Sequence, residues 1–147
     1  MTTRVDPVSL FARLALGAAF LSGIASRFGW WGAGVGYGSW ANFVKYTGEV
    51  NAFMPRATIP FLAVAATAAE LLLGLALVVG YRLRWTALAS AALLALFGLA
   101  MAISFGPKEP LDYSVFSACA AALLLAHQSE RNLRRIAKEP DGSGEVT

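Results

Sequence analysis

An uninterrupted apolar run from Trp85 to Phe105 places the strongest constraint on how this chain can fold. The run contains 21 residues and no charged side chain. A helix that crosses the hydrocarbon core of a bilayer needs about 20 apolar residues, since each residue adds ~1.5 Å to its length. Only helices and closed barrels satisfy their backbone groups in lipid, and the run lacks the alternating pattern of a barrel strand. It therefore predicts a transmembrane helix.

Three further apolar runs resemble the first, and charged residues or Pro and Gly separate them. They cover residues 8–26, 59–79 and 111–127, and the last is at the short end of the roughly 17–25 residues that a span tolerates. Only 14% of the 147 residues are charged, against about 25% in a soluble domain. The sequence predicts an all-α, integral membrane four-helix bundle that forms one domain over residues 1–138. Residues 139–147 are expected to be a disordered cytoplasmic tail.

A cleaved signal peptide is the alternative interpretation of the first run. Arg4 precedes the apolar stretch, and the segment Gly23-Ile24-Ala25 precedes Ser26, as at a cleavage site. However, Asp6 and Arg13 interrupt this stretch, and the run is long enough to span a membrane. We expect the first helix to be retained.

Basic residues at the ends of the runs predict the orientation, because Lys and Arg favour cytoplasmic loops. With cytoplasmic termini, the inner side carries seven basic residues: Arg4, Arg82, Arg84, Arg131, Arg134, Arg135 and Lys138. The outer side then carries four: Arg27, Lys45, Arg56 and Lys108. We expect a multi-pass protein of a bacterial inner membrane with both termini in the cytoplasm. The net charge of +3 does not indicate nucleic-acid binding, because these charges flank the apolar runs.

The long connection between the first two runs has a pattern of its own. Glycines and tryptophans open it, and apolar residues then recur at helical spacing at Trp40, Phe43, Val44, Thr47 and Val50, with Lys45 and Glu49 on the other face. This pattern predicts a short interfacial amphipathic helix over about residues 39–52, in the first extracytoplasmic loop. Two interpretations are open: a lid that seals the bundle, or a lid over an entry for a lipid-like or quinone-like molecule.

Glu70 is the candidate functional residue within the predicted spans. It lies near the middle of the second run, where an acidic side chain costs about 2.5–3.5 kcal/mol on insertion scales. It must therefore face the bundle. One interpretation is a buried acid that fixes helix packing through a hydrogen bond, and the other is a ligand or proton site.

Arg13 is the candidate partner of Glu70 and the second residue of this predicted site. It lies a few residues inside the first helix. Side chains tilt toward the N-terminus of their own helix, so Arg13 should lean toward the cytoplasm while Glu70 leans outward. Snorkelling of Arg13 to the inner headgroups is the simpler expectation, and an ion pair with Glu70 is the alternative hypothesis.

Other residues have simpler interpretations. Asp112 is expected to cap the fourth helix and Tyr113 to anchor it at the interface, and with Trp40 and Phe43 they could also form a lid or bundle mouth. His127 is expected to cap the other end of that helix.

The single Cys119 excludes an intrachain disulfide. We identify no catalytic set, metal site or cofactor motif, which favours a chain that is not a catalyst on its own.

Two stretches resemble the DoxX family of small four-helix bacterial membrane proteins. The first helix contributes Arg13-Leu14-Ala15-Leu16-Gly17, Phe20, Gly23 and Arg27. The second contributes Glu70, Leu71, Gly74, Leu77 and Gly80, followed by Arg82, Arg84 and Ala87. The resemblance extends over about residues 8–127. It departs from the family at the long aromatic loop and at Ser22, where members often have a histidine, which argues against a histidine-based redox role.

The resemblance implies association with membrane oxidoreductase systems, including quinone-coupled ones. We therefore expect an accessory or non-catalytic subunit that binds a hydrophobic, quinone-like molecule or a membrane oxidoreductase partner. A small proton-linked transporter or carrier that uses Glu70 is one alternative. A purely structural membrane partner protein is the other.

Overall fold

The computed structural model describes residues 6–32 and 34–138, and every regular element in this part of the chain is a helix. The helices are α1 (Pro7–Arg27), α2 (Trp40–Val50), α3 (Ile59–Val79), α4 (Leu83–Phe105), α5 (Lys108–Asp112) and α6 (Val115–Lys138). A single 3₁₀ turn, Arg56–Thr58, leads into α3. The predicted tail at 139–147 lies outside the described residues.

Local sequence signals account for where the helices begin and end. The Asp6 carboxylate accepts a hydrogen bond from the Ser9 backbone N–H at 3.0 Å and so caps α1. Ser39 caps α2 in the same way, accepting from Asn42 N–H at 3.2 Å. Gly80 ends α3 with a left-handed φ of 80°, a conformation that glycine adopts without a steric cost. The short turn from α3 into α4 therefore starts at Gly80.

Three of the described helices are long and apolar enough to cross a membrane: Pro7–Arg27, Arg56–Val79 with its leading turn, and Leu83–Phe105. They agree closely with the predicted runs 8–26, 59–79 and 85–105. Large apolar side chains such as Phe11, Phe61, Leu72 and Ile103 point away from the other helices and are exposed. An exposed apolar surface of this extent is typical of helices that face lipid.

The fourth predicted span, residues 111–127, is not one helix. Ser114 takes a left-handed φ of 54° between α5 and α6, so the chain turns there. Asp112 consequently does not cap a long helix: it is the last residue of α5, and its carboxylate pairs with Lys108. The expectation for His127 is also wrong, because α6 continues past it to Lys138. The apolar part of α6 is short, and α6 is not among the three span-like helices.

The long helices pack in two antiparallel pairs, α1 against α3 and α4 against α6. Glycines allow the first pair to approach closely: a Cβ on Gly17 would lie 3.0 Å from the Gly74 carbonyl oxygen. In the second pair, Gly98 accommodates the Phe116 ring. The pairs share a core that consists of Leu16, Phe20, Leu77, Ala87, Ala91, Ala122, Leu125 and Ala126.

Helix α2 lies across one end of these pairs, which we call the Arg27 end. It contacts α3 and α4, and the Ser104 hydroxyl near the end of α4 donates to the Val50 carbonyl at 2.6 Å. The opposite end carries the α3–α4 turn at Gly80 and is called the Gly80 end. Because α2 is a helix over Trp40–Val50, the amphipathic helix predicted for residues 39–52 is confirmed as a helix.

Candidate functional site

A buried ion pair joins α1 to α3. The Nη2 of Arg27 lies 2.6 Å from Oε1 of Glu70, and both side chains are 5% exposed. The Nη1 of Arg27 donates a second hydrogen bond to the Thr67 hydroxyl at 2.7 Å. That hydroxyl in turn donates to the Ala63 carbonyl at 2.8 Å. Two opposite charges are therefore buried inside the protein, and the net charge of the pair is zero.

The direction of the two side chains explains why these residues meet. Side chains tilt toward the N-terminus of their own helix. Arg27 is the last residue of α1, so its side chain leans back along the helix into the protein. Glu70 lies midway along the antiparallel α3, so its side chain leans toward the Arg27 end. The two groups therefore converge, and Gly23 leaves room for them, since a Cβ there would lie 3.4 Å from Glu70 Oε2.

Phe43 of α2 covers the ion pair. Its ring centroid lies 3.8 Å from the Cζ atom of Arg27, and Phe43 is itself buried. A guanidinium over an aromatic face is attracted by the ring quadrupole, by about 2 kcal/mol or more once both groups are desolvated. The α2 helix is therefore attached to the charged centre by a specific contact as well as by apolar burial.

The Nε nitrogen of Arg27 is not used by the ion pair. Its N–H is buried and has no hydrogen-bond partner among the described residues, as is also the case for the Nε of Arg13. A buried donor without an acceptor costs about 1–3 kcal/mol. An oxygen atom placed beside this nitrogen would recover that energy, so the site has the means to hold a carbonyl or anionic oxygen.

Aromatic rings extend from Phe43 over the Arg27 end. Neighbouring ring centroids are 5.1–6.2 Å apart in the order Phe28, Trp40, Phe43, Tyr37, Tyr46 and Phe105. We call these six residues the aromatic lid. They connect the end of α1, the glycine-rich loop, α2 and the end of α4 in one surface.

The lid encloses the phenol groups of two tyrosines. Burial raises the pKa of Tyr37, with a smaller opposing effect of Arg27. Burial also raises the pKa of Tyr46 to about 12, and the neighbouring Tyr37 adds to this shift. Loss of water around the phenolate form is the main cause in both cases. Both phenols are therefore neutral throughout the physiological pH range.

The glycine-rich loop is tied back onto α1. The Ser26 hydroxyl accepts a hydrogen bond from the Tyr37 backbone N–H at 2.9 Å. Gly36 takes a φ of 62°, and a Cβ at that position would collide with the Ser26 hydroxyl. The loop therefore needs glycine at residue 36 to bring Tyr37 into the aromatic lid.

The predicted site residues separate into groups. Glu70 lies in the ion pair, and Trp40 and Phe43 lie in the aromatic lid next to it. Asp112 and Tyr113 lie in and just after α5, where both are exposed. Neither takes part in the hydrogen bonds of the ion pair among the described residues.

Arg13 lies away from Glu70, so the alternative hypothesis of an Arg13–Glu70 ion pair is wrong. Its guanidinium is at the Gly80 end, where a Cβ on Gly80 would collide with Nη1 of Arg13. This position agrees with a side chain that leans toward the N-terminus of α1. There it lies beside the last turn of α3, where a cation is favoured by the helix dipole.

Sequence reasoning missed Arg27, Thr67 and Tyr37. Arg27 was counted among the outer loop charges, whereas it is buried. The rule that placed Arg13 away from Glu70 also turns Arg27 toward it, once α1 is known to pack antiparallel against α3. Thr67 precedes Glu70 by one helical turn on the same face, which is a second usable signal. For Tyr37 the sequence has no comparable periodicity.

The described residues contain no group of three His, Cys, Asp or Glu side chains that could hold a metal ion. Comparison with protein-family models, curated proteins and solved structures found no match to this chain. The resemblance to DoxX proteins therefore rests on the residue pattern, and the site has to be interpreted from its own geometry.

Proposed function

We propose that this chain is a four-helix integral membrane protein of the DoxX type, and that it binds the oxygen-bearing head of a hydrophobic, quinone-like molecule beside Arg27. The observation that carries the proposal is the buried Nε–H of Arg27, which has no acceptor among the described residues and lies next to the ion pair and beneath aromatic rings. A quinone supplies a carbonyl acceptor for that donor and a flat ring for the aromatic lid.

Packing supports α6 as the fourth membrane helix of this proposal. It lies along α4 over its apolar part, and the thiol of Cys119 donates to the Ala91 carbonyl at 3.3 Å. Its buried side chains Ala122, Leu125 and Ala126 belong to the common core. The short α5 follows the end of α4 at the Arg27 end and leads into α6, whose Phe116 packs against Gly98 of α4. A span of two pieces, α5 and α6, would compensate for the short apolar part of α6.

The burial of Arg27 also bears on orientation. It removes one charge from the loops that are expected outside, which leaves Lys45, Arg56 and Lys108 there. The opposite side keeps its seven basic residues. We therefore propose cytoplasmic termini in a bacterial inner membrane. In this orientation the Arg27 end and the aromatic lid face the extracytoplasmic side.

The proposed role is that of an accessory subunit. Arg27, Glu70 and Thr67 can hold an oxygen atom in place, but they supply no redox centre. A quinone held there would exchange electrons with a membrane oxidoreductase partner. Phe43 now covers the guanidinium, so α2 must move for a ligand to enter.

Quinone titration of the purified full-length protein tests this function. A short-chain ubiquinone analogue should quench the tryptophan fluorescence in a saturable way, since Trp40 lies in the aromatic lid. Glu70→Gln should weaken binding at least tenfold, because Arg27 would lose its counter-charge and its position. Glu49→Gln makes the same chemical change on an exposed residue of α2 and should leave binding unchanged.

A second, milder variant tests the site if the Glu70→Gln protein does not fold. Thr67→Val nearly preserves side-chain volume and removes the hydroxyl that accepts from Arg27. It should weaken quinone binding several-fold in protein that stays monodisperse and helical. Unsaturable quenching in the unmodified protein, or equal affinity in all variants, would refute the quinone site. Proton-coupled uptake in proteoliposomes that depends on Glu70 would instead identify a carrier.

A further inference from the structure

A groove of about 520 Å³ lies at the Gly80 end, between the α3–α4 turn and the polar part of α6. Its lining includes Arg82, Arg84, Trp85, Ser129, Asn132 and Leu133. It lies away from the ion pair, because Glu70 is midway along α3 and the groove begins at Gly80, just beyond the end of that helix. Neither the quinone proposal nor the packing of the core makes use of it.

The polar side of the groove carries an excess of positive charge. Nη2 of Arg84 lies 3.3 Å from Oε2 of Glu130, and Nη2 of Arg134 lies 2.6 Å from Oε1 of the same residue. One carboxylate thus positions two guanidinium groups. Arg82 adds a third positive charge at the turn, and its guanidinium lies over the Tyr81 ring at 5.9 Å. The Ser129 hydroxyl and the Asn132 amide add uncharged donors.

The backbone at Arg82 is unusual. Its φ of 39° is left-handed, although the residue is not glycine, and such a conformation costs an ordinary residue roughly 1–2 kcal/mol. Arg82 is also the N-cap residue of α4, and its side chain makes no capping hydrogen bond to the helix. Backbone strain is often found at binding sites. The strain at Arg82, a charged residue that lines the groove, therefore favours a ligand there.

The other side of the groove is apolar and open. Trp85 is 63% exposed and Leu133 is 60% exposed. Tryptophan at the end of a span-like helix is typical of the headgroup level of a bilayer. A ligand that matches both sides has an anionic, oxygen-rich head and a hydrophobic body.

We propose that this groove binds the phosphate headgroup of an anionic phospholipid. The guanidinium groups of Arg82 and Arg84 and the donors of Ser129 and Asn132 contact the phosphate oxygens, since arginine matches phosphate geometry. The acyl chains then run past Trp85 along α4 toward the middle of the bilayer. Inorganic phosphate shares the head chemistry, but it would leave the apolar side uncovered.

Native mass spectrometry of the full-length protein in detergent tests the proposal with defined lipids. Phosphatidylglycerol should remain bound as one molecule per chain, in preference to phosphatidylcholine. Arg82→Gln should weaken this binding about fivefold, the effect expected for one basic residue at an anionic headgroup. Arg82→Gly should weaken it equally while its fold is retained, because glycine accepts the left-handed conformation.

Two control variants separate a site from general surface charge. Arg131→Gln removes the same charge from an exposed residue of α6 outside the groove, and should change binding less than twofold. Asn132→Ala changes no charge and should weaken binding measurably. If Arg131→Gln is as harmful as Arg82→Gln while Asn132→Ala has no effect, the groove is not a site.

A competition experiment distinguishes the two sources of phosphate. Millimolar inorganic phosphate should leave phosphatidylglycerol bound. Displacement of the lipid by inorganic phosphate would overturn the assignment to a lipid and indicate a soluble anion. The proposal is independent of the quinone site, since Thr67→Val should leave lipid binding unchanged and Arg82→Gln should leave quinone binding unchanged.

Discussion

The guanidinium of Arg27 and the carboxylate of Glu70 are 2.6 Å apart at the contact between α1 and α3, and each side chain is almost completely enclosed. Burial of two ions is costly, and their mutual attraction offsets that cost only while both are present. Each residue is therefore tolerated because of the other. The pair ties the end of α1 to the middle of α3.

Removal of either partner should destabilise the protein strongly. Arg27→Leu or Glu70→Gln should each lower the free energy of unfolding by about 3 kcal/mol, because the remaining charge is left buried and unpaired. The double variant should lose much less than the sum of the two. Unfolding in mixed micelles measures this coupling in a double-mutant cycle. The cycle of Arg13→Leu with Glu70→Gln is the control, and its effects should be additive.

Phe43 should hold the aromatic lid closed through its contact with Arg27. Phe43→Leu keeps an apolar side chain but removes the aromatic face, at a cost of about 2 kcal/mol. Hydrogen exchange of the α2 backbone should become faster. Phe53→Leu makes the same change at a residue that is 54% exposed, and should leave exchange in α2 unaltered. Equal exchange in the two variants would show that the contact has no such role.

Ionisation of Tyr46 should destabilise the lid at high pH. Burial raises its pKa from 10.0 to about 12 in the folded protein, whereas the unfolded chain has the ordinary value. The stabilisation by the neutral phenol is therefore complete below pH 10 and is lost as the pH rises from 10 to 12. The ultraviolet absorbance of phenolate should show a transition near pH 12 that Tyr46→Phe removes. An unchanged titration in Tyr46→Phe would contradict the assignment.

Gly80 should be intolerant of a side chain. Gly80→Ala places a Cβ on a backbone with φ of 80° and against the guanidinium of Arg13. We expect a loss of at least about 1 kcal/mol from the left-handed conformation alone, measured as a lower thermal midpoint. Gly34→Ala is the matched control, because a Cβ there meets open space. Its midpoint should stay within about 1 °C of the unmodified protein.

Much of the helical layout could be predicted because it depends on local properties. The runs 59–79 and 85–105 lie within two residues of α3 and α4, since apolar length and a glycine turn identify such helices. The break at Ser114 could not be predicted in the same way. The turn lies where α5 packs against α4 and α6, and these are contacts between separate segments of the chain.

The candidate site was predictable in part. Glu70 was recognisable because an acidic residue in an apolar run has to find a partner, and Trp40 and Phe43 because they recur on one face of α2. Arg27 was not recognised, since a basic residue at a helix end is usually a solvated flanking charge. Only the approach of α1 to α3 turns this residue into the buried counter-ion.

The sequence by itself therefore determined the helical class, the span-like helices and the presence of one acidic residue that needed a partner. These properties follow from the hydrophobicity and spacing of residues that are close together in the chain. Tertiary structure alone decided which of two arginines meets Glu70. Arg13 and Arg27 are both on α1. Which of them pairs with Glu70 depends on the antiparallel direction of α3 and on the tilt of side chains toward each helix N-terminus. Those are relations between distant segments, and local sequence does not encode them.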